Sequence, residues 1–118
     1  MALNLSENSI RVLEKRYLKR DSMGVCTETP EDMFRRVADT IARGDLKYGK
    51  SQQEVKELSD EFYNMITHLH FLPNSPTLMN AGRELGQLAA CFVLPVEDSL
   101  EGIFETIKNI RSGYESNR

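Results

Sequence analysis

Residues 29–41 read TPEDMFRRVADTI, which combines the start signals and the buried face of an amphipathic helix. Thr29 is a good N-cap, Pro30 suits the first helical position, and Asp32 completes a capping box with Thr29. The stretch predicts a helix that ends at Gly44 and organises a small helical domain. Its apolar residues recur at helical spacing and are expected to face the core: Met33, Phe34, Val37, Ala38 and Ile41.

Similar signals lie on either side of this helix. Ser6 can cap an upstream helix that runs to about Arg20, and Ser51 with Glu54 forms a second capping box downstream. Three amphipathic helices joined by short links should pack on one another, so residues 1–70 are expected to form a helical N-terminal domain. The residues expected to face its core are Ile10, Leu13 and Tyr17 in the upstream helix and Val55, Leu58, Phe62, Met65, Ile66 and Leu69 in the downstream helix.

Length and composition exclude several classes of protein. The 118 residues suit one domain, and a hydrophobic fraction of 40% with 28% charged residues is typical of a folded chain. A net charge of −3 argues against a nucleic-acid or anionic-membrane binder. Two cysteines are too few for a disulfide scaffold, which favours a reducing cytoplasm. The longest apolar run, residues 88–96, is shorter than the roughly 20 residues that span a membrane, and no signal peptide is recognised.

The sequence changes character after the third helix. Residues 71–87 contain prolines, glycines and small polar residues, which predicts a loop. Residues 88–94, LAACFVL, are continuously apolar and end at a proline, a pattern typical of a strand buried on both faces. Asp98 and Ser99 precede a fourth stretch of helical spacing. Residues 71–118 are therefore expected to form a loop, one buried strand and a further helix.

The predicted strand poses a physical problem. Its backbone N–H and C=O groups need partners, and a lone strand in a helical chain is not stable. Three explanations stay open: a weak partner strand lies within residues 75–80, another chain supplies one, or the chain is part of something larger.

Two regions carry candidate chemistry. Residues 71–82, FLPNSPTLMNAG, place hydroxyls and free N–H groups on a loop stiffened by proline, which suits phosphate binding as well as an ordinary polar loop. Cys91 is most simply a buried structural residue, unless it lies at a strand end beside a second thiol or a base. His68 and His70 do not share a helix face and complete no ligand set, so no metal site is predicted.

Several of these segments resemble the large catalytic chain of ribonucleotide reductase. Residues 71–85, FLPNSPTLMNAGREL, followed by residues 90–99, ACFVLPVEDS, are most similar to the adenosylcobalamin-dependent, class II form. Residues 16–18, RYL, and residues 28–38, ETPEDMFRRVA, look like that family's N-terminal helical domain. The resemblance covers about residues 6–109. It implies a mainly α fold in which a helical bundle is followed by the first strand of an incomplete α/β barrel.

The resemblance also implies roles for individual residues. The family's Ser-Pro-Thr loop helps to hold the substrate's phosphates, which assigns Ser75 and Thr77 to the ribonucleotide substrate. The cysteine of the first barrel strand is one of two thiols that reduce the ribose 2′ carbon, and it corresponds to Cys91. The pair after the strand opens a helix at the dimer interface, where a deoxynucleotide effector binds, and it corresponds to Asp98 and Ser99.

Departures from the family pattern limit what is expected of this chain. Relatives often carry a serine beside the cysteine, where this chain has Ala90 in the substrate-contacting position. Residues 111–118 do not look like the family's continuation, and neither the radical-bearing cysteine nor the second reducing thiol is recognised.

Two functions are therefore open. The first is an N-terminal portion or short relative of the reductase, which binds nucleotides or docks to a second copy or to the remainder of the enzyme. Adenosylcobalamin would serve the complete enzyme, with none bound to this chain alone. The alternative is a non-catalytic helical interaction or regulatory module derived from the reductase.

Overall fold

The computed structural model describes residues 3–116, and these residues are mainly helical. No β-strand is present among them, and extended pairing is limited to one bridge between Arg20 and Cys26. None of the described helices combines the length and apolarity that a membrane crossing requires. In chain order the elements are α1 (Glu7–Arg16), α2 (Pro30–Ala42), a 3-10 segment (Arg43–Tyr48), α3 (Gln52–Thr67), α4 (Ser75–Asn80) and α5 (Leu100–Ser116).

The predicted helix starts are confirmed. The Ser6 Oγ accepts from the Ser9 N–H at 3.2 Å and caps α1. At α2, Thr29 and Asp32 each accept a hydrogen bond from the other's backbone N–H, at 3.2 and 2.9 Å. The capping box of Ser51 and Glu54 opens α3 in the same way. Each cap satisfies backbone donors that have no partner inside the helix.

Helix α2 lies at the centre of the core. Met33, Phe34 and Val37 are its largest fully buried side chains, which confirms most of the predicted apolar stripe. Ile41 is the exception, because 38% of it stays exposed. Around α2 the core is completed by buried residues from several segments: Leu18, Ile66, Leu78 and Ala81.

The helix ends differ from the prediction. Helix α1 ends at Arg16, and α2 continues into the 3-10 segment, so Gly49 rather than Gly44 takes the left-handed conformation, with φ 85°. Leu69, expected in the core, instead follows α3 at φ 58° and is 60% exposed. It closes a Schellman motif in which the His70 N–H donates to the Met65 carbonyl oxygen at 3.0 Å.

The predicted loop and strand are corrected by the structure. Residues 75–80, expected as a loop or a weak partner strand, form the short helix α4. Residues 88–94 are not a buried strand, since Phe92 is 56% exposed and Val93 is 99% exposed. The described residues offer no neighbouring strand to pair with their backbone groups, and without pairing a strand is not stable. Residues 3–116 accordingly do not show the expected first strand of an α/β barrel.

Helix α5 forms as predicted but lies outside the core. The Ser99 Oγ accepts from the Gly102 N–H at 3.0 Å, and the buried Thr106 hydroxyl donates to the Pro95 carbonyl oxygen at 3.0 Å. The radius of gyration is 17.7 Å, against about 13.5 Å for a compact chain of this length. One face of α5 leaves large apolar side chains exposed: Leu100, Ile103, Phe104, Ile107 and Ile110.

A buried ion pair joins the segments around α2. The Arg36 Nε and Nη2 donate to the two Glu28 carboxylate oxygens at 3.1 and 2.8 Å, and the two side chains are 9% and 8% exposed. Glu28 also accepts from the Lys19 N–H at 2.9 Å. Arg36 donates in addition to the Ala81 and Leu78 carbonyl oxygens, at 2.6 and 3.2 Å. One guanidinium thus connects the α1–α2 link, α2 and the end of α4.

The pKa of Glu28 reflects this environment. Burial by itself raises the pKa of the carboxyl group, because it disfavours the charged form. The hydrogen bonds from Arg36 and Lys19, together with the positive charges of both residues, lower the pKa by more. The net pKa lies below the 4.5 of an unperturbed glutamate, so Glu28 is ionised in the folded protein near neutral pH.

Replacing Arg36 with methionine should destabilise the fold strongly. The change leaves the Glu28 carboxylate buried without its cation, and such a loss costs about 3–5 kcal/mol. Arg35→Met is the matched control, since Arg35 pairs with Asp60 at the surface and lies 3.9 Å from the Tyr63 ring centroid. The control should cost about 1 kcal/mol or less. Urea unfolding measures both free energies, and equal losses would contradict the central role of the buried pair.

Stability should fall in acid because of Glu28. A carboxyl group whose pKa is lower when folded binds its proton more readily in the unfolded chain, so its stabilisation is full above its unfolded pKa. This stabilisation is lost as the pH falls below 4.5 and through the folded pKa. Tm measured from pH 7 to pH 3 should show this decline, with a shallower acid limb in Glu28→Gln. An identical limb in that variant would be inconsistent with this assignment.

Candidate functional site

The Ser-Pro-Thr motif forms the first turn of α4. The Asn74 Oδ1 caps this helix by accepting from the Thr77 N–H at 3.1 Å, and Pro76 lies in the first turn, where its missing N–H costs nothing. Ser75 is exposed at the helix start, whereas Thr77 and Leu78 are buried. The two hydroxyls to which the resemblance assigns the substrate's phosphates are therefore in different environments.

Polar side chains of α4 hold the segment that leads to the cysteine. The Thr77 Oγ1 and the Asn74 Nδ2 both donate to the Leu88 carbonyl oxygen at 3.2 Å. The Asn80 Nδ2 donates to the Gln87 carbonyl oxygen at 2.9 Å. These three bonds fix the backbone of residues 87–88 against α4, and they use the hydroxyl hydrogen of Thr77.

Among residues 3–116, the hydroxyl of Ser75 has one hydrogen-bond partner, the Tyr17 hydroxyl at 2.9 Å. Tyr17 immediately follows α1, so this bond joins the N-terminal helices to the Ser-Pro-Thr turn. Periodicity indicated only that Tyr17 faces the core, and its half-buried ring does pack there. No local pattern indicated a partner 58 residues away.

Gly82 allows α4 to approach α2 closely. Its φ is 72°, and a Cβ there would lie 2.6 Å from the Thr40 Oγ1 and 3.0 Å from the Arg36 Cγ. A side chain at this position would therefore be strained and would clash. The same turn places the Ala81 carbonyl oxygen against the Arg36 guanidinium.

Cys91 is exposed, which corrects the expectation that it is buried. Ala90 is also exposed and borders an open cleft that includes Phe92 and Ile110. Cys26, the other free cysteine, is half-buried, with its Sγ donating to the Glu14 carbonyl oxygen at 3.4 Å. The difference in exposure makes Cys91 the more accessible thiol.

Asp98 and Ser99 lie apart from this cluster in the hydrogen-bond pattern. Both are exposed, and Ser99 caps α5. Within the described part of the chain, no hydrogen bond joins either residue to residues 74–91. The structure thus brings Ser75, Thr77 and the backbone before Cys91 together, and leaves the predicted effector residues on a separate element.

The histidines do not form a metal centre. Among the described residues, no three side chains of His, Cys, Asp or Glu are placed to hold a metal ion. The His68 and His70 rings stack with centroids 5.8 Å apart, and the His68 Nδ1 lies 2.8 Å from the Asn64 carbonyl oxygen. The left-handed residue between them, Leu69, accounts for this side-by-side placement.

Comparison with known proteins assigns the family. Residues 3–86 match the family described as "Ribonucleotide reductase, all-alpha domain". The match covers all the elements from α1 to α4 and ends before Cys91. The chain belongs to the ribonucleotide reductase family.

Similar proteins are large chains of ribonucleotide reductases. The chain is 42% identical to the "Vitamin B12-dependent ribonucleoside-diphosphate reductase" of Mycobacterium tuberculosis over 105 residues, which cover 89% of this chain and 15% of that protein. The protein of the same name from Thermoplasma acidophilum is 39% identical over 160 aligned residues, which cover 91% of this chain and 21% of that protein. The "Ribonucleoside-diphosphate reductase large chain" of Schizosaccharomyces pombe is 37% identical over 99 residues, which cover 83% of this chain and 11% of that protein. This ribonucleotide reductase chain thus spans about a fifth or less of these relatives.

Thr77→Val should release the segment before Cys91. The variant keeps the shape of the buried side chain and removes the donor to the Leu88 carbonyl oxygen, a bond worth about 1 kcal/mol. In ¹⁵N-labelled protein, the heteronuclear NOE of residues 87–91 should fall as their backbone becomes more mobile, and Tm should drop by only a few degrees. Thr67→Val is the matched control, because among the described residues its hydroxyl bonds only to carbonyl oxygens of its own helix. An unchanged NOE at residues 87–91 would argue against the connection.

Proposed function

We propose that this chain contributes the all-α domain and the beginning of the catalytic domain to a class II ribonucleotide reductase. The assembled enzyme reduces ribonucleoside diphosphates to deoxyribonucleotides for DNA synthesis, and it acts in the cytoplasm. The observation that supports this most is the set of hydrogen bonds that Asn74, Thr77 and Asn80 donate to the carbonyl oxygens of residues 87 and 88. These bonds hold the backbone that leads to Cys91 against the helix that carries Ser75. The names of two relatives support the substrate class and the vitamin B12 dependence.

In this proposal, the Ser75 hydroxyl donates a hydrogen bond directly to a phosphate of the substrate. This hydroxyl is exposed and lies on a turn that is held at both ends, so little ordering is needed when substrate binds. The N–H and the hydroxyl of Thr77 already donate hydrogen bonds to Asn74 and Leu88. Thr77 therefore contributes to phosphate binding by fixing the shape of the turn. Ala90, next to the reacting thiol of Cys91, contacts the substrate through a side chain that has no hydroxyl.

Cys91 is one of two reducing thiols. Reduction of the ribose 2′ carbon replaces a C–OH bond with C–H and releases water. This two-electron change is balanced when two thiols form one disulfide, and their two hydrogens supply the new C–H bond and the departing water. Cys26 is a poor second thiol because it is half-buried and bonded to the Glu14 carbonyl oxygen. The second thiol therefore comes from another segment of the assembled reductase.

Residues 88–94 become the first barrel strand when neighbouring strands are present. Their apolar side chains are exposed, which is costly unless another surface covers them. The remainder of the reductase would supply both the strand pairing and the cover. The exposed apolar face of α5 would pack in a dimer, with Asp98 and Ser99 at the start of that helix contacting a deoxynucleotide effector.

Adenosylcobalamin is the cofactor of the assembled enzyme in this proposal. When bound, it supplies the radical that starts the reaction. The corrin ring itself supplies four nitrogen ligands to the cobalt, so binding needs no cluster of metal-ligating side chains, and no residue of this chain is assigned to the cofactor.

Two observations favour a second function. The apolar face of α5 lies exposed, and Ala90 lacks the hydroxyl that relatives often carry beside the cysteine. A non-catalytic interaction module would use the same face to bind a partner. Such a module would require no chemistry from Cys91.

A chimaeric enzyme tests the proposal. This chain replaces the matching N-terminal segment of the Mycobacterium tuberculosis relative, and deoxynucleotide formation is measured with adenosylcobalamin and a dithiol reductant. We expect reduction by the chimaera and a fall to background in Cys91→Ser, because one reducing thiol is lost. Cys26→Ser is the matched control and should retain activity.

The outcomes separate the two functions. Unchanged turnover in Cys91→Ser would refute the role of this thiol. A folded chimaera without activity would favour the interaction module. If the fused protein does not fold, this chain is instead mixed with the relative lacking its own matching segment, and the same two cysteine variants are compared.

A further inference from the structure

Tyr17 connects the N-terminal helices to the Ser-Pro-Thr turn. Its N–H donates to the Leu13 carbonyl oxygen at 2.9 Å, and its half-buried ring packs against the hydrophobic core. Its hydroxyl reaches the Ser75 Oγ at 2.9 Å. Because ring and backbone are both held, the phenol oxygen has a defined position from which to hold the serine.

Either hydroxyl could donate in this bond, and the two differ in donor strength. A phenol O–H is more acidic than an aliphatic one and is the stronger donor. When Tyr17 donates and Ser75 accepts, the serine's own hydrogen is available to a ligand. A hydroxyl that accepts one hydrogen bond also becomes a better donor in the next, because the chain of bonds is polarised.

The turn that carries Ser75 is also held at its far end. Arg36 donates to the Ala81 carbonyl oxygen at 2.6 Å, just after α4. Because Arg36 fixes this end of α4, the Tyr17 hydroxyl affects the position of the serine and not that of the helix. Among the described residues, Ser75 is the one hydrogen-bond partner of that hydroxyl. Removing it leaves the packed ring in place.

We propose that Tyr17 is a positioning residue for substrate binding. It orients the Ser75 hydroxyl so that the serine hydrogen points to a phosphate oxygen of the nucleotide, and it does not touch the substrate itself. The inference rests on the proposed phosphate role of Ser75. It adds to that role a residue of the all-α domain that acts only through the serine.

A double-mutant cycle in the chimaeric enzyme tests this inference. Tyr17→Phe should raise KM for the ribonucleoside diphosphate by about 5-fold, the size of one neutral hydrogen bond, with kcat nearly unchanged. Ser75→Ala should raise KM further, and Tyr17→Phe should add nothing in the Ser75→Ala background. Tyr48→Phe is the matched control, since Tyr48 is 87% exposed on the 3-10 segment, and its KM should match the unmodified chimaera.

The outcomes distinguish the inference from the proposed function. If Ser75→Ala leaves KM unchanged, the phosphate role of Ser75 fails. If Ser75→Ala raises KM but Tyr17→Phe does not, the positioning role is overturned and the proposed function stands. Additive effects in the double variant would also overturn it, because a residue that acts through Ser75 has no effect once that hydroxyl is gone.

A second measurement uses this chain by itself. Pyrophosphate is titrated into the ¹⁵N-labelled protein, and the NMR shift of the Ser75 amide is followed. Saturation should require about 5-fold more pyrophosphate in Tyr17→Phe than in the wild-type chain or Tyr48→Phe. Equal saturation in all three would overturn the positioning role. A Ser75 signal that never moves would count against the phosphate role itself.

Discussion

The buried ion pair of Glu28 and Arg36 is the interaction on which the rest of the structure depends. Two charges can leave water only when their hydrogen-bonding groups are satisfied, and here the carboxylate and the guanidinium satisfy each other. The planar guanidinium has donors to spare, and these hold the carbonyl oxygens of Leu78 and Ala81 at the end of α4. The Arg36 guanidinium thus fixes the position of α4 relative to the N-terminal helices.

The candidate site is an extension of this arrangement. At α4, Asn74 and Thr77 donate to the Leu88 carbonyl oxygen, and the Tyr17 hydroxyl bonds to that of Ser75. The backbone before Cys91 is therefore oriented by residues that belong to the helical domain. In the proposed function, this arrangement would let the all-α domain influence a reaction at Cys91, which lies outside that domain.

After α4, two regions expose groups that folded proteins normally pair or cover. In the described part of the chain, the backbone groups of residues 89–94 make no hydrogen bond, the apolar side chains of residues 88–94 are exposed, and α5 exposes an apolar face. Both features oppose stability in water unless another surface covers them. The chain spans about a fifth or less of the relatives described above, and a larger assembly would supply such a surface.

The sequence by itself determined the starts of α1, α2, α3 and α5 and most of the core stripe of α2. Capping boxes such as that of Thr29 and Asp32 act between residues three apart, and apolar periodicity has an equally short range. Tertiary structure alone decided the bond between Tyr17 and Ser75 and the position of Arg36 against Ala81, because these partners are 58 and 45 residues apart. It also decided the state of residues 88–94, since an apolar run becomes a strand only where other backbone is present to pair with it.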